Sequence, residues 1–146
     1  HIDWPVVILL AAMIPIGNTL VNYGITDSFS DYLASLSSVL DYVWMLVIIM
    51  VITMFPSDII NNAATAVIMA PIAVSLADKI NQPIEPFLMS VAIGASCAFL
   101  SPIGHQCNTL VMGPGNYKFG DYWKVGLPLE ILIILISVPA IMIYWG

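Results

Sequence analysis

The stretch SDIINNAATA, residues 57–66, places an aspartate, two asparagines and three alanines between two apolar segments. The apolar segment before it, residues 43–56, would form a helix about 21 Å long at about 1.5 Å per residue, which is shorter than the roughly 30 Å hydrocarbon core of a bilayer. After it, residues 66–77 resume the apolar character. Two short apolar arms around a polar tip predict a re-entrant helical hairpin over residues 41–80, which enters and leaves the membrane on the same side.

The composition of the whole chain indicates a membrane protein. Of its 146 residues, 60% are hydrophobic and 8% are charged, and the mean hydropathy is +0.98. The net charge of -6 comes from nine acidic and three basic residues, which leaves no basic surface for nucleic acid. The sequence has no His-Glu-x-x-His motif, no Gly-x-Ser-x-Gly motif and no paired catalytic carboxylates, so we predict neither enzyme activity nor a cofactor.

Two segments precede the hairpin. Residues 4–25 are apolar over a length sufficient to cross the bilayer. In residues 26–40, apolar side chains recur at spacings of four, three and four from Phe29 to Leu40, and serines and an aspartate occupy the opposite face. This pattern predicts an amphipathic helix in the membrane interface, and a helix packed on a soluble domain is the alternative. We therefore predict that residues 1–40 form a scaffold span plus an interfacial helix.

A second polar interruption follows the hairpin. Residues 85–115 begin as an apolar helix, predicted to run to about Leu100, and SPIGHQCN, residues 101–108, then breaks it with proline, glycine and polar side chains. After a polar loop, residues 123–146 form a final apolar span. The fold class predicted for the chain is an all-α membrane protein with a re-entrant hairpin and a discontinuous helix, and residues 41–146 are predicted to form half of a transport domain.

The two interruptions are expected to line one cavity. Irregular backbone at membrane depth persists only where protein or a watery cavity surrounds it. Each interruption also exposes the start of a half-helix, one near Asn62 and Ala63 and the other near Cys107 and Asn108. Free N–H groups at helix starts attract anions, and carbonyl groups of unwound turns coordinate cations. One cavity could therefore bind an anion together with Na⁺ or H⁺ as coupling ion.

The side chains of these interruptions supply the candidate ligands. Neutral amides, hydroxyls and close backbone approach suit an anion in a low dielectric, and hard oxygen ligands suit Na⁺. The candidate anion ligands are Asn61, Asn62, Ala63, Thr65, Asn108 and Thr109. The candidate cation ligands are Ser57, Asn62, Gly104, His105 and Asn108.

Simpler roles remain open for several of these residues. Asn61 and Asn62 could cap the second arm of the hairpin. Thr65 could bond back to its own helix, and His105 could pair with a nearby carbonyl. Asp58 is the ionisable residue of the tip and needs water, a cation or a donor network.

With these motifs in place, the chain resembles the carboxy-terminal half of the divalent anion:sodium symporter family, which includes dicarboxylate, citrate and sulfate permeases. In that family the hairpin tip carries Ser-Asn-Thr followed by Ala-Thr-Ala, and NNAATA stands in its place here. Asn62 matches the central asparagine, whereas Asn61 and Ala63 replace the serine and the threonine. The family's Thr-Pro-Pro-Asn stretch corresponds to HQCN, in which Asn108 matches.

The resemblance implies a homodimeric elevator-type secondary transporter in a bacterial inner membrane, built from two inverted repeats of which this chain holds one. The N-terminal repeat of the same permease would be the missing partner, or two copies of the chain would insert in opposite orientations. A membrane-embedded assembly subunit and a passive channel are the alternative functions. The sequence does not select among sulfate, dicarboxylate and citrate.

Overall fold

The computed structural model describes residues 4–60 and 62–145. Within these ranges the chain is helical and contains no strand, so the predicted all-α class is confirmed. The helices are α1 (Trp4–Asn22), α2 (Ile25–Leu36), α3 (Tyr42–Ser57), α4 (Asn62–Lys79), α5 (Ile84–Ser96), α6 (Gln106–Met112) and α7 (Phe119–Trp145). By length and composition α7 could cross a membrane, with a mean hydropathy of 2.3, and α3 and α5 are shorter apolar helices.

The polar stretch over residues 57–66 contains the break between α3 and α4, as its composition predicts. Helix α3 ends at Ser57, and α4 begins at Asn62. Helix α2 forms within the segment predicted to be amphipathic, but its buried face differs from the predicted one: Thr26, Ser30 and Leu33 are buried, and Phe29 is exposed. The Ser30 hydroxyl donates to the carbonyl of Ile72, 3.2 Å away, which fixes α2 against α4.

The second interruption begins earlier than the sequence predicts. Helix α5 ends at Ser96 and does not reach Leu100, because the following backbone pairs with side chains from elsewhere in the fold. The Leu100 N–H donates to Asp58 Oδ1 at 2.9 Å, and the Ala98 carbonyl accepts from Asn108 Nδ2 at 2.8 Å. Tertiary hydrogen bonds therefore replace helical ones over residues 97–101.

The last helix also begins earlier, at Phe119 and not at residue 123. Its start is a capping arrangement, in which the Lys118 N–H donates to Asp121 Oδ2 at 3.0 Å. An acid three residues into a helix satisfies a free N–H group and interacts favourably with the helix dipole. The first turns of α7 therefore form within the segment that the sequence analysis treats as polar loop.

The core lies where α3, α4 and α5 pack together. Its fully buried side chains are mostly long and apolar, among them Met45, Ile49, Leu76 and Phe87. Gly94 lets α5 approach α3 closely, since a Cβ at this position would lie 2.8 Å from the Met50 carbonyl oxygen. This packing holds the C-terminal end of α3 beside the end of α5, so both interruptions lie at one end of the core.

Helix α7 crosses the second interruption at Gly126. A Cβ at Gly126 would lie 2.4 Å from the Phe99 carbonyl oxygen and 3.1 Å from the Leu100 nitrogen. Since these are backbone atoms, they cannot move aside as a flexible side chain would.

We therefore expect Gly126→Ala to lower the free energy of unfolding by about 1–3 kcal/mol, the usual cost of overpacking. The measurement is the unfolding of the purified protein followed by circular dichroism. Gly120→Ala on the same helix is the matched control, because a Cβ there meets nothing within 4 Å. Equal stability of the two variants would contradict the close crossing.

Candidate ion site at the two helix breaks

The tip, where α3 ends at Ser57 and α4 begins at Asn62, lies in direct contact with the break between α5 and α6. A Cβ at Gly104 would lie 2.9 Å from Ser57 O, from Asp58 Cα and from Ala98 Cβ. The loop after α5 therefore rests on the residues that end α3, and glycine allows this approach because it has no side chain. Of the predicted cation ligands, the structure thus brings Ser57 and Gly104 together.

Ser57 and Asn62 form the polar contact of the tip. The Ser57 hydroxyl is fully buried, and its Oγ lies 2.6 Å from the Ala95 carbonyl oxygen and 3.1 Å from Asn62 Oδ1. A hydroxyl has one proton to donate, so these two oxygens share a single donor. The result is a small group of neutral oxygen atoms where α3 ends, α4 begins and α5 unwinds.

Asp58 connects the tip to the loop. Its Oδ1 accepts from the Leu100 N–H at 2.9 Å, and its backbone carbonyl accepts from the Ser101 hydroxyl. The Ser101 Oγ in turn accepts from the N–H groups of Ile103 and Gly104. Only part of the expected donor network is present, however, because Asp58 Oδ2 is buried and has no hydrogen-bond partner among the described residues.

Asn108 and Thr109 hold the loop from the other side. The Asn108 amide donates to the carbonyls of Ala98 and Ser101, at 2.8 and 3.1 Å. The Thr109 hydroxyl donates to the Pro102 carbonyl at 2.5 Å. The Asn108 amide N–H groups therefore hold the loop, and so does the Thr109 hydroxyl proton. The two side chains can offer a ligand only the lone pairs of their oxygen atoms.

The remaining candidates have distinct environments. His105 is exposed and caps α6, with its Nδ1 accepting from the Cys107 N–H at 3.2 Å, and no carbonyl among the described residues accepts from its ring. Thr65 is fully buried, and its hydroxyl bonds neither to its own helix nor to any other described group. Ala63 is half-buried in the first turn of α4. Asn61 lies outside the described residues.

The sequence analysis did not identify three residues that the structure places at the breaks. These are Ser101, Tyr122 and Glu130. Glu130 is the acid of an otherwise apolar part of α7, and this isolation was a usable signal. Ser101 and Tyr122 had no comparable signal, because their roles depend on tertiary contacts.

Tyr122 ties α7 to the second half of the broken helix, since its hydroxyl donates to the Asn108 carbonyl at 2.7 Å. We expect Tyr122→Phe to lower the free energy of unfolding by about 1 kcal/mol, the usual effect of losing one hydrogen bond. Thermal unfolding of the purified protein measures this change. Tyr144→Phe is the control, because Tyr144 is 79% exposed on the same helix. A Tyr122→Phe variant as stable as the control would argue against this link.

No group of three or more histidine, cysteine, aspartate or glutamate side chains that could hold a metal ion occurs in the part of the chain that the structure describes. The oxygen atoms at the breaks are mainly carbonyls, hydroxyls and amides, together with the carboxylate of Asp58. Such hard oxygen donors suit a hard cation better than a soft transition metal.

Comparison of the sequence with known proteins finds one matching family and several relatives. The family model described as "Citrate transporter" matches residues 1–146. An uncharacterised transporter of Synechocystis sp. is 37% identical over 145 residues, covering 99% of this chain and 24% of that protein. The sodium-dependent dicarboxylate transporter SdcS of Staphylococcus saprophyticus is 31% identical over 143 residues, covering 94% of this chain and 26% of its own length.

A more distant relative is named for a different anion, sulfate. Sodium/sulfate cotransporter 2 of Chlamydomonas reinhardtii is 28% identical over 137 residues, covering 93% of this chain and 16% of that protein. The chain thus spans about a quarter, or less, of the length of these relatives.

Proposed function

Since the chain belongs to the citrate transporter family, an integral membrane family, we propose that it is one repeat of a secondary active transporter that moves a small divalent anion together with Na⁺. The observation that carries this proposal is the contact between the hairpin tip and the broken helix, which gathers Ser57, Asn62 and Gly104 at one place. The names of the sodium/sulfate and sodium-dependent dicarboxylate relatives support both the class of anion and the coupling ion.

Na⁺ would bind among the neutral oxygens of the tip. Asn62 Oδ1 and Ser57 Oγ lie 3.1 Å apart, and the backbone carbonyl of Ser57 faces Gly104 across a contact too close for a side chain. A bound Na⁺ would replace the hydrogen bond between the Ser57 hydroxyl and the Asn62 amide oxygen with direct coordination by both oxygens. Asn108 would support this site by holding the loop, whereas His105, as an exposed helix cap, contributes less than its sequence position indicates.

The anion would bind at the start of α4. This helix has 18 residues, and its first N–H groups point toward the tip, where Asn62 and Ala63 begin the helix. The buried Thr65 hydroxyl, which has no described partner, is available one turn further along. Asn108 and Thr109 are engaged by loop carbonyls, so we assign them a positioning role and leave Asn62, Ala63 and Thr65 as the main anion ligands.

We further propose that α3 and α4 form a re-entrant hairpin in an elevator-type transport domain, with α1 and α2 in the scaffold. A second, inverted repeat of the same permease would complete the site, and two such permeases would form a homodimer in a bacterial inner membrane. The short apolar length of α3 and the polar tip support the re-entrant arrangement.

Uptake into proteoliposomes tests the function directly. The complete transporter is reconstituted, and uptake of radiolabelled sulfate, succinate and citrate is measured with an inward Na⁺ gradient and with an equal K⁺ gradient. We expect concentrative uptake of at least one of these anions that requires Na⁺. Anion flux that only follows its own gradient would indicate a passive channel, and absence of any flux would favour an assembly subunit.

A further inference from the structure

Aromatic side chains mark both ends of the apolar part of α7. Trp123 is 55% exposed near the start of the helix, and Tyr144 is 79% exposed near its end. At about 1.5 Å per residue these two positions lie about 32 Å apart, which matches the roughly 30 Å hydrocarbon core of a bilayer. Trp and Tyr are enriched where the hydrocarbon meets the headgroups. In a membrane-spanning α7, the turns from Phe119 to Lys124 therefore lie at the level of the lipid headgroups.

A cavity of about 240 Å³ lies at this level, between the start of α7 and the second half of the broken helix. Its wall includes polar and aromatic residues together with two apolar residues further along α7, namely Asn108, Tyr117, Asp121, Tyr122, Val125 and Leu129. The Tyr122 hydroxyl donates to the Asn108 carbonyl at 2.7 Å, and the rings of Tyr117 and Tyr122 meet edge to face with centroids 6.2 Å apart. The cavity is therefore polar and aromatic toward the headgroup level and apolar toward the hydrocarbon.

The polar part of this cavity offers oxygen acceptors and aromatic rings to a cation. The Asn108 amide donates its N–H groups to two loop carbonyls, so its side chain has only an oxygen left for a ligand. Asp121 adds a carboxylate. Tyrosine rings attract ammonium groups through their π faces. Together these groups favour a positively charged ligand group that also has N–H donors.

Two lysines flank the Asp121 carboxylate. Lys124 Nζ lies 3.2 Å from Asp121 Oδ1, with the two side chains 66% and 42% exposed, and Lys118 is exposed just before α7 begins. An ion pair this exposed contributes little to stability, so both partners can bind other charges. Lysine ammonium groups bind phosphate. A headgroup that carries both an ammonium and a phosphate would therefore satisfy the acid and the lysines together.

An exposed apolar stripe continues from the cavity along α7. Val125, Leu129, Leu132 and Ile136 recur at spacings of four, three and four, and all four side chains are exposed. Helical residues at these spacings share one face. The stripe therefore gives an acyl chain a continuous path from the cavity into the hydrocarbon, which a soluble phosphoethanolamine could not use.

We infer that this cavity binds a phospholipid whose headgroup carries a primary ammonium, which is a phosphatidylethanolamine. The ammonium would lie beside Asp121 and the tyrosine rings, the phosphate would pair with Lys118 and Lys124, and one acyl chain would follow the stripe. This inference goes beyond the proposed function, because lipid binding requires neither Na⁺ nor a transported anion. A choline headgroup has no N–H to donate and a glycerol headgroup has no cation, so both should bind more weakly.

Native mass spectrometry of the purified complete transporter, without Na⁺ or anion, tests the site with lipids of identical acyl chains. Phosphatidylethanolamine, its N-methyl and N,N-dimethyl derivatives, phosphatidylcholine and phosphatidylglycerol are titrated separately. We expect one saturable site whose affinity falls with each added methyl group. Phosphatidylethanolamine should bind at least about tenfold more tightly than phosphatidylcholine, the usual effect of hydrogen bonds to a charged group. Glycerophosphoethanolamine, which has no acyl chains, should compete poorly.

Asp121→Asn tests whether this cavity is the site. Asparagine keeps an oxygen that can accept from the Lys118 N–H but removes the charge, so the preference for phosphatidylethanolamine over phosphatidylcholine should be lost. Glu85→Gln is the matched control, because Glu85 is an exposed acid in the first turn of α5, as Asp121 lies in the first turn of α7. This control should keep the wild-type preference.

The N-methyl series on the unmodified protein decides the question even if Asp121→Asn does not fold. Equal affinity across that series would overturn the inference, and so would a preference for phosphatidylglycerol, which would indicate that the lysines bind phosphate alone. Equal competition by glycerophosphoethanolamine would exclude a lipid in favour of a soluble ligand. An Asp121→Asn variant that keeps the wild-type preference, or the absence of any saturable site because the rest of the permease covers the cavity, would also overturn it.

Discussion

Replacing Asn62 by alanine in the complete transporter is expected to abolish anion-dependent Na⁺ uptake into proteoliposomes. The amide of Asn62 contacts the Ser57 hydroxyl at 3.1 Å, at the point where α4 begins. Alanine removes this oxygen from the proposed Na⁺ site and also removes the amide donor from the proposed anion site. Both ions would lose a ligand, and coupled transport requires both to bind. The rate of uptake should therefore fall by a larger factor than the affinity for either ion measured alone.

The same variant decides between ligand binding and helix capping. Alanine has a higher helix propensity than asparagine, so the variant should be about as stable as the wild type unless the side chain caps α4. Thermal unfolding is therefore measured alongside uptake. Asn22→Ala is the matched control, because Asn22 is exposed at the end of α1. Unchanged uptake by Asn62→Ala would remove the site assignment, and a loss of stability large enough to explain the lost uptake would favour capping.

The break between α3 and α4 could be predicted because local composition decides it. Ser57, Asp58, Asn61 and Asn62 interrupt two apolar segments, and a helix continuing through them in hydrocarbon would expose polar groups. The end of α5 could not be predicted in this way. Ala98, Phe99 and Leu100 are apolar and read as helix, but the Leu100 N–H pairs with Asp58 and the Ala98 carbonyl pairs with Asn108, both from other elements. Contacts between distant residues overrode the local preference.

At the candidate site, too, the sequence predicted what depends on local composition and missed what depends on contacts between distant residues. The sequence placed Ser57, Asn62 and Gly104 in two interruptions, and the requirement that irregular backbone be covered indicated that these would meet. It could not show that the Asn108 amide would bond to loop carbonyls or that His105 would cap α6, since both outcomes depend on how far the loop extends. The isolation of Glu130 in an apolar stretch was visible in the sequence, but its position beside the second break depends on α7 crossing at Gly126, which no local pattern encodes.

The two interruptions make their closest contact at Gly104. We expect Gly104→Ala to lower the apparent Na⁺ affinity at least about tenfold, equivalent to about 1.4 kcal/mol. A Cβ at this position would lie 2.9 Å from Ser57 O, Asp58 Cα and Ala98 Cβ. Two of these atoms belong to the backbone of the tip, so the loop must move away from it. The overpacking cost of about 1–3 kcal/mol falls on the conformation in which the Na⁺ ligands are gathered.

The Na⁺ dependence of anion uptake, measured over a range of Na⁺ concentrations, gives the apparent affinity. Gly113→Ala is the matched control, because a Cβ there meets nothing within 4 Å and the residue ends α6 with φ of -67°. If Gly104→Ala kept the wild-type Na⁺ affinity, the contact between tip and loop would not gather the cation ligands. If both glycine variants lost affinity equally, the effect would come from stiffening the loop and not from the clash at the tip. A selective loss in Gly104→Ala would tie Na⁺ binding to the joining of the two breaks, because that junction is what the added methyl group disrupts.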